Sequence, residues 1–194
     1  KQRAWLWVAV GGLVTVFLIA RSRGQQVARS MLGENFAGLL GTDRWSAYRW
    51  VDALRRQLCW AHLLRDLQGF VDRGGKGAEF GAALLARAIQ MFAGWDRLKA
   101  GALARAEFIT FMEPIEQDML RLLRLAVLHA ERKTAGMARQ ILKLQPALFT
   151  FVRMPGIEPT NNIGERQIRP GVQWRRTSFG TQSEAGSRFA ERIL

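Results

Sequence analysis

Cysteine and histidine are scarce in this chain of 194 residues, which contains one cysteine, Cys59, and two histidines, His62 and His129. A single cysteine excludes a disulfide within the chain and agrees with a reducing compartment, so we expect a cytoplasmic protein. A structural zinc ion generally takes four Cys, His or carboxylate ligands. Because His129 is remote in sequence from the other two residues, the sequence argues against a zinc-stabilised fold.

Acidic residues are also few. Asp and Glu number 16 against 29 for Lys and Arg, which gives a formal net charge of +13, and the first acid along the chain is Glu34. A folded protein this basic usually binds a polyanion, with nucleic acid the first candidate and an anionic membrane surface the second. A hydrophobic content of 48% excludes wholesale disorder, and the length suits one domain with an insertion or two small domains.

No apolar run reaches the length of a transmembrane helix, which needs about 18 residues or more. The most apolar stretch, residues 5–20, follows Lys1 and Arg3 and so resembles a signal peptide or a short span. Gly11 and Gly12 divide it into halves rich in β-branched and aromatic residues. This pattern predicts two antiparallel strands joined by a glycine turn, apolar on both faces and therefore central to a sheet. A membrane-associated basic protein anchored by this stretch is the alternative.

The next segments alternate between helix and strand. Residues 25–32 form a short predicted helix that ends at Gly33, and residues 36–43 form an apolar predicted strand whose last residue is Asp43. An aspartate at a strand end is common in turns and at helix starts. It is also where sheet-based enzymes display catalytic carboxylates, and the local sequence leaves both interpretations open.

A C-x-x-H element, formed by Cys59 and His62, lies in residues 55–67, which we interpret as a short strand that enters a helix. We expect Cys59 to be buried and His62 to face the core or a neighbouring acid. The element could also be half of a zinc site, but it supplies too few ligands for one.

Helical periodicity dominates from residue 77 to about residue 152. Apolar residues recur at helical spacing in residues 78–98, 104–128 and 136–152. Pro146 is expected to bend or break the third helix. The segment contains no acidic cluster, so we interpret it as an all-helical structural module.

Residues 157–169 carry the densest set of polar groups. Pro159 disfavours a helical conformation at Glu158, and Asn162, followed three residues later by Glu165, predicts a helix N-cap whose N3 acid reaches back to the cap amide. The same arrangement would hold the Glu165 carboxylate ionised and rigid beside a helix N-terminus, as a metal ligand requires. The local sequence leaves a structural role and a metal-binding role open.

A basic segment, residues 170–181, follows directly. It places an indole and two guanidinium groups beside hydroxyls: Trp174, Arg175, Arg176, Ser178 and Thr181. Such groups suit phosphate contact or base stacking, and a solvated basic loop is the alternative. A short helix capped by Ser183 is expected to end the chain.

In combination these elements resemble a transposase of the insertion sequence 66 family. The resemblance rests on four runs, G-T-D-R-W-S-A-Y from residue 41, C-W-A-H-L-L-R-D from residue 59, E-P-T-N-N-I-G-E-R from residue 158 and W-R-R-T-S-F-G-T-Q-S-E-A-G from residue 174. It implies an α/β fold with an RNase H-like mixed sheet interrupted by an all-helical insertion. We expect the first part of the core at residues 1–75, the insertion at 76–155 and the last part of the core at 156–194.

The resemblance also implies a catalytic triad of two aspartates and a glutamate that holds Mg²⁺ or Mn²⁺ in a two-metal site. Asp43 matches the second aspartate, and Glu165 is the preferred match for the glutamate, with Glu158 as the alternative. Four further residues of the matching runs are expected to support the site: Cys59, His62, Asn161 and Asn162.

DNA, at transposon ends and at the target, is the partner that the resemblance implies. Seven residues are expected to contact it: Arg166, Arg169, Trp174, Arg175, Arg176, Ser178 and Thr181. We also expect a homo-oligomer on DNA, accessory proteins encoded by the same element, and no membrane partner.

The first aspartate of the family pattern precedes the first Trp-Leu-Trp strand, and this chain begins at Lys1 without it. We therefore expect a C-terminal piece of a longer transposase that does not cut DNA alone. A non-enzymatic, DNA-binding transposase remnant is the alternative.

Overall fold

The predicted N-terminal hairpin is present in the computed structural model, which describes residues 3–178 and 180–194. Strands β1 (Trp5–Val10) and β2 (Thr15–Ala20) pair antiparallel along their full length. A backbone hydrogen bond from Gly11 closes the turn at 2.8 Å. The prediction of two antiparallel strands joined by a glycine turn is therefore confirmed.

The expectation that these strands are central to a sheet is wrong. Within the described residues they form a two-stranded sheet of their own. Leu13, Val14 and Val16 are exposed near the turn, and Trp7 is the buried residue of β1. The apolar run does not require a central position in a sheet, because strands of β-branched and aromatic residues can form a hairpin that buries only part of its surface.

Helices dominate the rest of the chain, which makes this a mixed α/β protein with little sheet. In chain order the elements are α1 (Gln25–Leu32), β3 (Leu40–Thr42), β4 (Arg56–Leu58), α2 (Trp60–Asp72), α3 (Gly75–Lys99), α4 (Arg105–His129), α5 (Arg132–Leu142), α6 (Thr150–Arg153), α7 (Asn162–Ser178) and α8 (Glu184–Ile193). Single-turn 3-10 helices lie at Ser46–Tyr48, Ala53–Arg55 and Gln145–Ala147. Among the described residues, no helix has both the length and the apolar content needed to cross a membrane.

The chain divides into two compact units. The first unit comprises Lys1–Gly38, Arg44–Val51 and Asn161–Leu194, and the second comprises Leu39–Asp43 and Asp52–Thr160. The division of the sequence at residues 75 and 155 stays a prediction.

The first unit has a small core around the hairpin. Trp7 packs with Ala28 of α1 and with Ala47, and its indole N–H donates to the carbonyl of Ser22 at 3.1 Å. On β2, the backbone amide of Ile19 donates to the Glu191 carboxylate of α8 at 2.6 Å. Helix α1 ends at Gly33 as predicted, because Gly33 adopts a positive φ of 88° that favours glycine.

The second unit contains the helical module and the larger core. Helices α3 and α4 confirm the periodicity of residues 78–98 and 104–128. The third predicted helix is interrupted near Pro146, which lies in a 3-10 turn between α5 and α6. Rings from three of these segments pack together at centroid distances of 5.4–6.2 Å: Trp95, Phe108 and Phe151.

Candidate functional site

Two parallel strands end side by side in the second unit, and Asp43 follows one of them. Strand β3 pairs with β4 so that Thr42 lies opposite Leu58. The residue that follows β4, Cys59, donates its backbone amide to the carbonyl of Thr42 at 2.7 Å. Carboxyl ends of parallel strands meet at one edge of a sheet, which is where open α/β sheets bind ligands. Asp43 and the C-x-x-H element therefore start from neighbouring strand ends. The strand before Asp43 is shorter than predicted, because only Leu40–Thr42 pairs.

A buried arginine fixes the backbone at Asp43. Arg56 is 1% exposed, and its Nη2 atom donates to the hydroxyl of Thr42 and to the carbonyl of Asp43, both at 3.2 Å. The Thr42 hydroxyl donates to the same Asp43 carbonyl at 2.8 Å. A buried guanidinium is costly unless its N–H groups have acceptors. The strand end that carries Asp43 is consequently a fixed part of the unit, and Asp43 itself is half-buried.

The C-x-x-H element occupies the start of α2. Cys59 is 2% exposed, as predicted, and precedes the first helical residue, whereas His62 is half-buried in the first turn. The Cys59 Sγ atom and a ring nitrogen of His62 lie within 4.8 Å of each other. The supporting role assigned to both residues stays a prediction.

The stretch that carries Glu158 is attached to the same helix start. The backbone amide of Trp60, the first residue of α2, donates to the carbonyl of Pro159 at 2.9 Å. Pro159 is buried and Glu158 is exposed. Of the two glutamates considered as catalytic, Glu158 therefore belongs to the same unit as Asp43, next to the C-x-x-H helix.

Two arginines anchor the segment that leads into this stretch. Arg153 at the end of α6 forms a two-fold ion pair with Glu116 of α4, with distances of 3.1 and 2.8 Å. Arg105 donates to the carbonyls of Phe151 and Val152 at 2.9 and 3.2 Å. Burial raises the pKa of Glu116, although the hydrogen bond from Arg153 opposes this rise. The hydrogen bond to Glu116 raises the pKa of Arg153, which stays cationic.

The N-cap of helix α7 lies one residue before the predicted one, so the capping-box prediction is wrong. The amide of Glu165 donates to the carbonyl of Asn161 at 3.2 Å, so Asn161 is the N-cap residue and Asn162 is the first helical residue. Gly164 then occupies the N3 position predicted for Glu165, and a Cβ there would lie 3.0 Å from Asn161 Oδ1. Glu165 still lies in the first turn, where the helix dipole favours a negative charge.

Helix α7 continues through Pro170 to Ser178. Residues 170–178 are therefore helical and not a loop, and Thr181 lies beyond the helix end. The DNA-binding role expected of this segment stays a prediction. A proline inside a helix lacks one N–H donor and ordinarily kinks or breaks the helix, yet α7 continues through Pro170. The Ser178 hydroxyl donates to the carbonyl of Trp174 at 2.7 Å, and Thr181 Oγ1 lies 2.8 Å from Ser187 Oγ. Both hydroxyls thus have partners within the first unit.

One side of α7 packs on the hairpin. Gly164 and Gly171 are buried, while Ile168 and Trp174 on the same side are half-buried. A Cβ at Gly171 would lie 2.4 Å from Leu6 Cδ2 of β1, which is closer than Cβ contacts permit. Glycine at this position therefore lets the helix approach the strand.

The opposite side of α7 is cationic and exposed, and we call it the α7 basic face: Arg166, Arg169, Gln173 and Arg176. Their spacing of three, four and three residues places them on one side of a helix of 3.6 residues per turn. Arg175 is exposed near the end of the helix outside this face, and its Cγ lies 3.5 Å from the position of a Cβ on Gly180. These guanidinium groups can bind phosphates as charge-assisted donors.

The predicted site residues are divided between the units. Asp43, Cys59, His62 and Glu158 belong to the second unit. The first unit holds the others: Asn161, Asn162, Glu165, Arg166, Arg169, Trp174, Arg175, Arg176, Ser178 and Thr181.

Sequence reasoning missed the buried polar residues beneath the strand ends. Arg56 and Gln57 are 1% and 2% exposed. In sequence they form part of an Arg-Arg-Gln run, which is typical of a surface. Their one available signal was their position at the start of a short strand that leads directly to the C-x-x-H element.

Comparison with known proteins gives a consistent assignment. The model of the family described as Transposase IS66 family matches residues 1–189. A curated protein of Sinorhizobium fredii (strain NBRC 101917 / NGR234), named uncharacterized protein y4qI, is 27% identical over an alignment of 210 residues that covers 96% of this chain. The chain spans 38% of the length of that relative. No solved structure matches the chain. On the family match, which extends over almost the whole sequence, this chain belongs to the IS66 family of transposases.

Proposed function

We propose that the chain supplies an aspartate and a glutamate to a transposase site that cleaves DNA at transposon ends and transfers the cut strand, with divalent metal ions as cofactors. The observation that carries the proposal is the placement of Asp43 at the end of a strand held in parallel register beside Cys59. A rigid strand end is a suitable base for a metal ligand, because small displacements of a catalytic group are costly.

The donor chemistry of the proposed ligands fits Mg²⁺ or Mn²⁺. Asp43 and Glu165 offer carboxylate oxygens, which these hard cations prefer. In such a site the ions would activate the attacking oxygen and stabilise the leaving oxygen of a phosphodiester. Glu158 is the alternative to Glu165. The role of Arg56 is to hold the backbone of Asp43 in position through its hydrogen bond to the carbonyl.

DNA binding by the α7 basic face is the second part of the proposal. Three exposed arginines lie on one side of a helix whose other side packs against β1. Contacts from guanidinium groups to phosphates fix a duplex in place without reading its sequence. Trp174 is half-buried, which favours a packing role for part of its side chain.

We also propose that the two small sheets belong to an RNase H-like core and that residues 76–155 are an insertion into it. The family match supports this proposal, and helices α3, α4 and α5 account for most of the proposed insertion. Action as a homo-oligomer on DNA, with accessory proteins of the element, in the cytoplasm, belongs to the same proposal.

The test is strand transfer by the product of the complete gene, with metal and labelled transposon-end DNA. Asp43→Asn and Glu165→Gln are each expected to abolish strand transfer, while DNA binding persists. Asp52→Asn is the matched control, since Asp52 is an exposed aspartate whose carboxylate caps a 3-10 turn. Loss of activity in Glu158→Gln but not in Glu165→Gln would reverse the assignment of the glutamate. Full activity in Asp43→Asn would show that Asp43 is not a metal ligand, and no activity in the parent protein would leave a non-enzymatic DNA-binding role.

A further inference from the structure

Helix α5 of the second unit carries a second cationic surface, which the proposed site does not use. Four of its residues are exposed cations, and we call them the α5 basic face: Arg132, Lys133, Arg139 and Lys143, the last at the C-cap. Arg132, Arg139 and Lys143 follow one another at spacings of seven and four residues, so they lie on one side of the helix. The other side is buried through Thr134, Ala135, Ala138 and Ile141.

The cations of this face lack the acidic partners that other cations of the same unit have. On α3 and α4, Arg87 and Arg121 pair with Asp118 at 2.6 Å, and Lys99 pairs with Asp96 at 3.2 Å. Within the described part of the chain, no ion pair involves Arg132, Lys133, Arg139 or Lys143. Arg139 and Lys143 are like charges four residues apart, which is unfavourable on an isolated helix. A polyanion would relieve that repulsion.

The acid nearest to this face in sequence serves another purpose. Glu131, the residue before α5, accepts hydrogen bonds from the backbone amides of Lys76 and Gly77 at 2.9 and 3.0 Å. Its carboxylate thereby caps the start of α3. The charge that could have neutralised the N-terminal end of the α5 basic face is instead used to join two helices.

A glycine lies in the middle of the face and leaves its backbone accessible. A Cβ at Gly136 would have no atom within 4 Å. Packing therefore does not require glycine here, and glycine is unfavourable in a helix interior compared with alanine. Because Gly136 has no side chain, the backbone of a polyanion could approach the helix closely between Arg132 and Arg139.

We propose that the α5 basic face binds the phosphate backbone of duplex DNA, as a contact additional to the α7 basic face. The proposal rests on the proposed function, which supplies the DNA. From Arg132 to Lys143 the helix rises about 16 Å, a length over which duplex DNA carries roughly ten phosphates. Arg132, Arg139 and Lys143 can therefore meet phosphates along a single stretch of duplex, with Lys133 exposed beside them.

The composition of the helix favours DNA over a membrane surface. A helix that lies in a membrane interface inserts a face of large apolar residues among the lipids. The large apolar residues of α5 pack into the core of the second unit, where Ile141 is buried and Met137 and Leu142 are half-buried. Its exposed side has Gln140 and Gly136 among the cations, so electrostatic contact with phosphates is the interaction it offers.

The test is DNA affinity of the whole chain as a function of salt concentration. In R139Q/K143Q we expect affinity for a duplex to fall roughly ten-fold at low salt, and the slope of log affinity against log salt to fall by about 2. The matched control is K99Q/R121Q, which removes the same charge from cations paired with acids and is expected to change affinity little.

A second pair of variants separates binding from folding. Gly136→Glu places an acid among the cations and improves helix propensity, so we expect an unchanged or higher Tm with a roughly ten-fold loss of affinity. Gly136→Ala is expected to raise Tm as well and to keep most of the affinity.

The outcomes distinguish this proposal from the proposed function. If R166Q/R169Q/R176Q weakens DNA binding but R139Q/K143Q and Gly136→Glu bind as the parent chain does, the α5 proposal is wrong and the proposed function stands. If the parent chain does not bind duplex DNA at all, both fail. If R139Q/K143Q loses binding to phosphatidylserine vesicles but not to DNA, the partner of this face is a membrane and the proposal is overturned.

Discussion

The side chain of Gln57 on β4 and the backbone of Phe151 on α6 are joined across 94 residues of sequence: Gln57 Oε1 accepts a hydrogen bond of 2.9 Å from the Phe151 amide. The Gln57 amide group also donates to the carbonyl of Leu148 at 3.1 Å. Both residues are buried. This contact ties the strand that leads to Cys59 to the segment that leads to Glu158.

Gln57→Leu is therefore expected to destabilise the chain by about 1–3 kcal/mol, because it leaves the buried Phe151 amide without an acceptor. The carbonyl of Leu148 keeps a donor, since the indole of Trp60 also binds it at 2.8 Å. The measurement is the midpoint of urea unfolding, which reports stability when the dependence of the unfolding free energy on urea concentration is the same in both proteins. Gln68→Leu, an exposed position on α2, is the control and should change stability by about 0.5 kcal/mol or less. Equal effects of the two substitutions would contradict the role given to Gln57.

Glu131→Gln should change how stability depends on pH. Hydrogen bonds from the backbone amides of Glu131 itself, Gly77 and Lys76 lower the pKa of this carboxyl below its ordinary value of 4.5. The ionised Glu131 carboxylate therefore stabilises the folded chain fully at a pH above its ordinary pKa. This contribution is lost as the pH falls through the lowered pKa of the folded state.

We expect Glu131→Gln to be less stable than the parent chain at pH 6, and the difference between them to shrink as the pH approaches 3. Urea midpoints across this range provide the measurement. A difference that is constant from pH 6 to pH 3 would show that the charge on Glu131 contributes nothing to the cap of α3.

The α7 basic face predicts a strongly salt-dependent interaction with DNA. R166Q/R169Q/R176Q should reduce the slope of log affinity against log salt by about 3, in proportion to the three phosphate contacts removed. Because these side chains are exposed, Tm should stay nearly the same. Equilibrium binding to duplex DNA at several salt concentrations measures the effect.

The control for this experiment is R87Q/K99Q/R121Q, in which the three cations removed have acidic partners. An equal loss of slope in both triple variants would indicate that net charge alone governs binding, and that the α7 basic face has no special role.

Sequence periodicity predicted the elements whose structure depends on local pattern. Helix α1 ends at Gly33 because glycine tolerates a positive φ there, and α3 and α4 follow from apolar residues at helical spacing. Pro146 interrupts the third helix for a reason that is equally local, since proline removes a backbone donor.

The features that sequence did not predict depend on contacts distant in the chain. The N-cap of α7 falls on Asn161 rather than Asn162, although both asparagines are suitable caps. The helix continues past Pro170, and the adjacent Gly171 packs against Leu6, 165 residues earlier, a contact of which local propensity carries no signal. Burial of Arg56 likewise follows from its acceptors on Thr42 and Asp43.

The placement of Asp43 was predicted in part. Its position at the end of a strand followed from the apolar run before it, but its neighbour across the sheet could not, because the pairing of β3 with β4 is set by tertiary structure. The catalytic role of Asp43 rests on the family resemblance and stays a proposal.

The most direct test of the central claim, that Asp43 is a ligand of the metal used in DNA cleavage, is a change of metal specificity. In the product of the complete gene, Asp43→Cys replaces a carboxylate by a thiolate, which Mn²⁺ accepts more readily than Mg²⁺. We predict no strand cleavage by this variant with Mg²⁺ and recovered cleavage with Mn²⁺, while Asp52→Cys cleaves with either ion. Cleavage by Asp43→Cys at the parent rate with Mg²⁺, or no recovery with Mn²⁺, would contradict the assignment of Asp43 as a metal ligand.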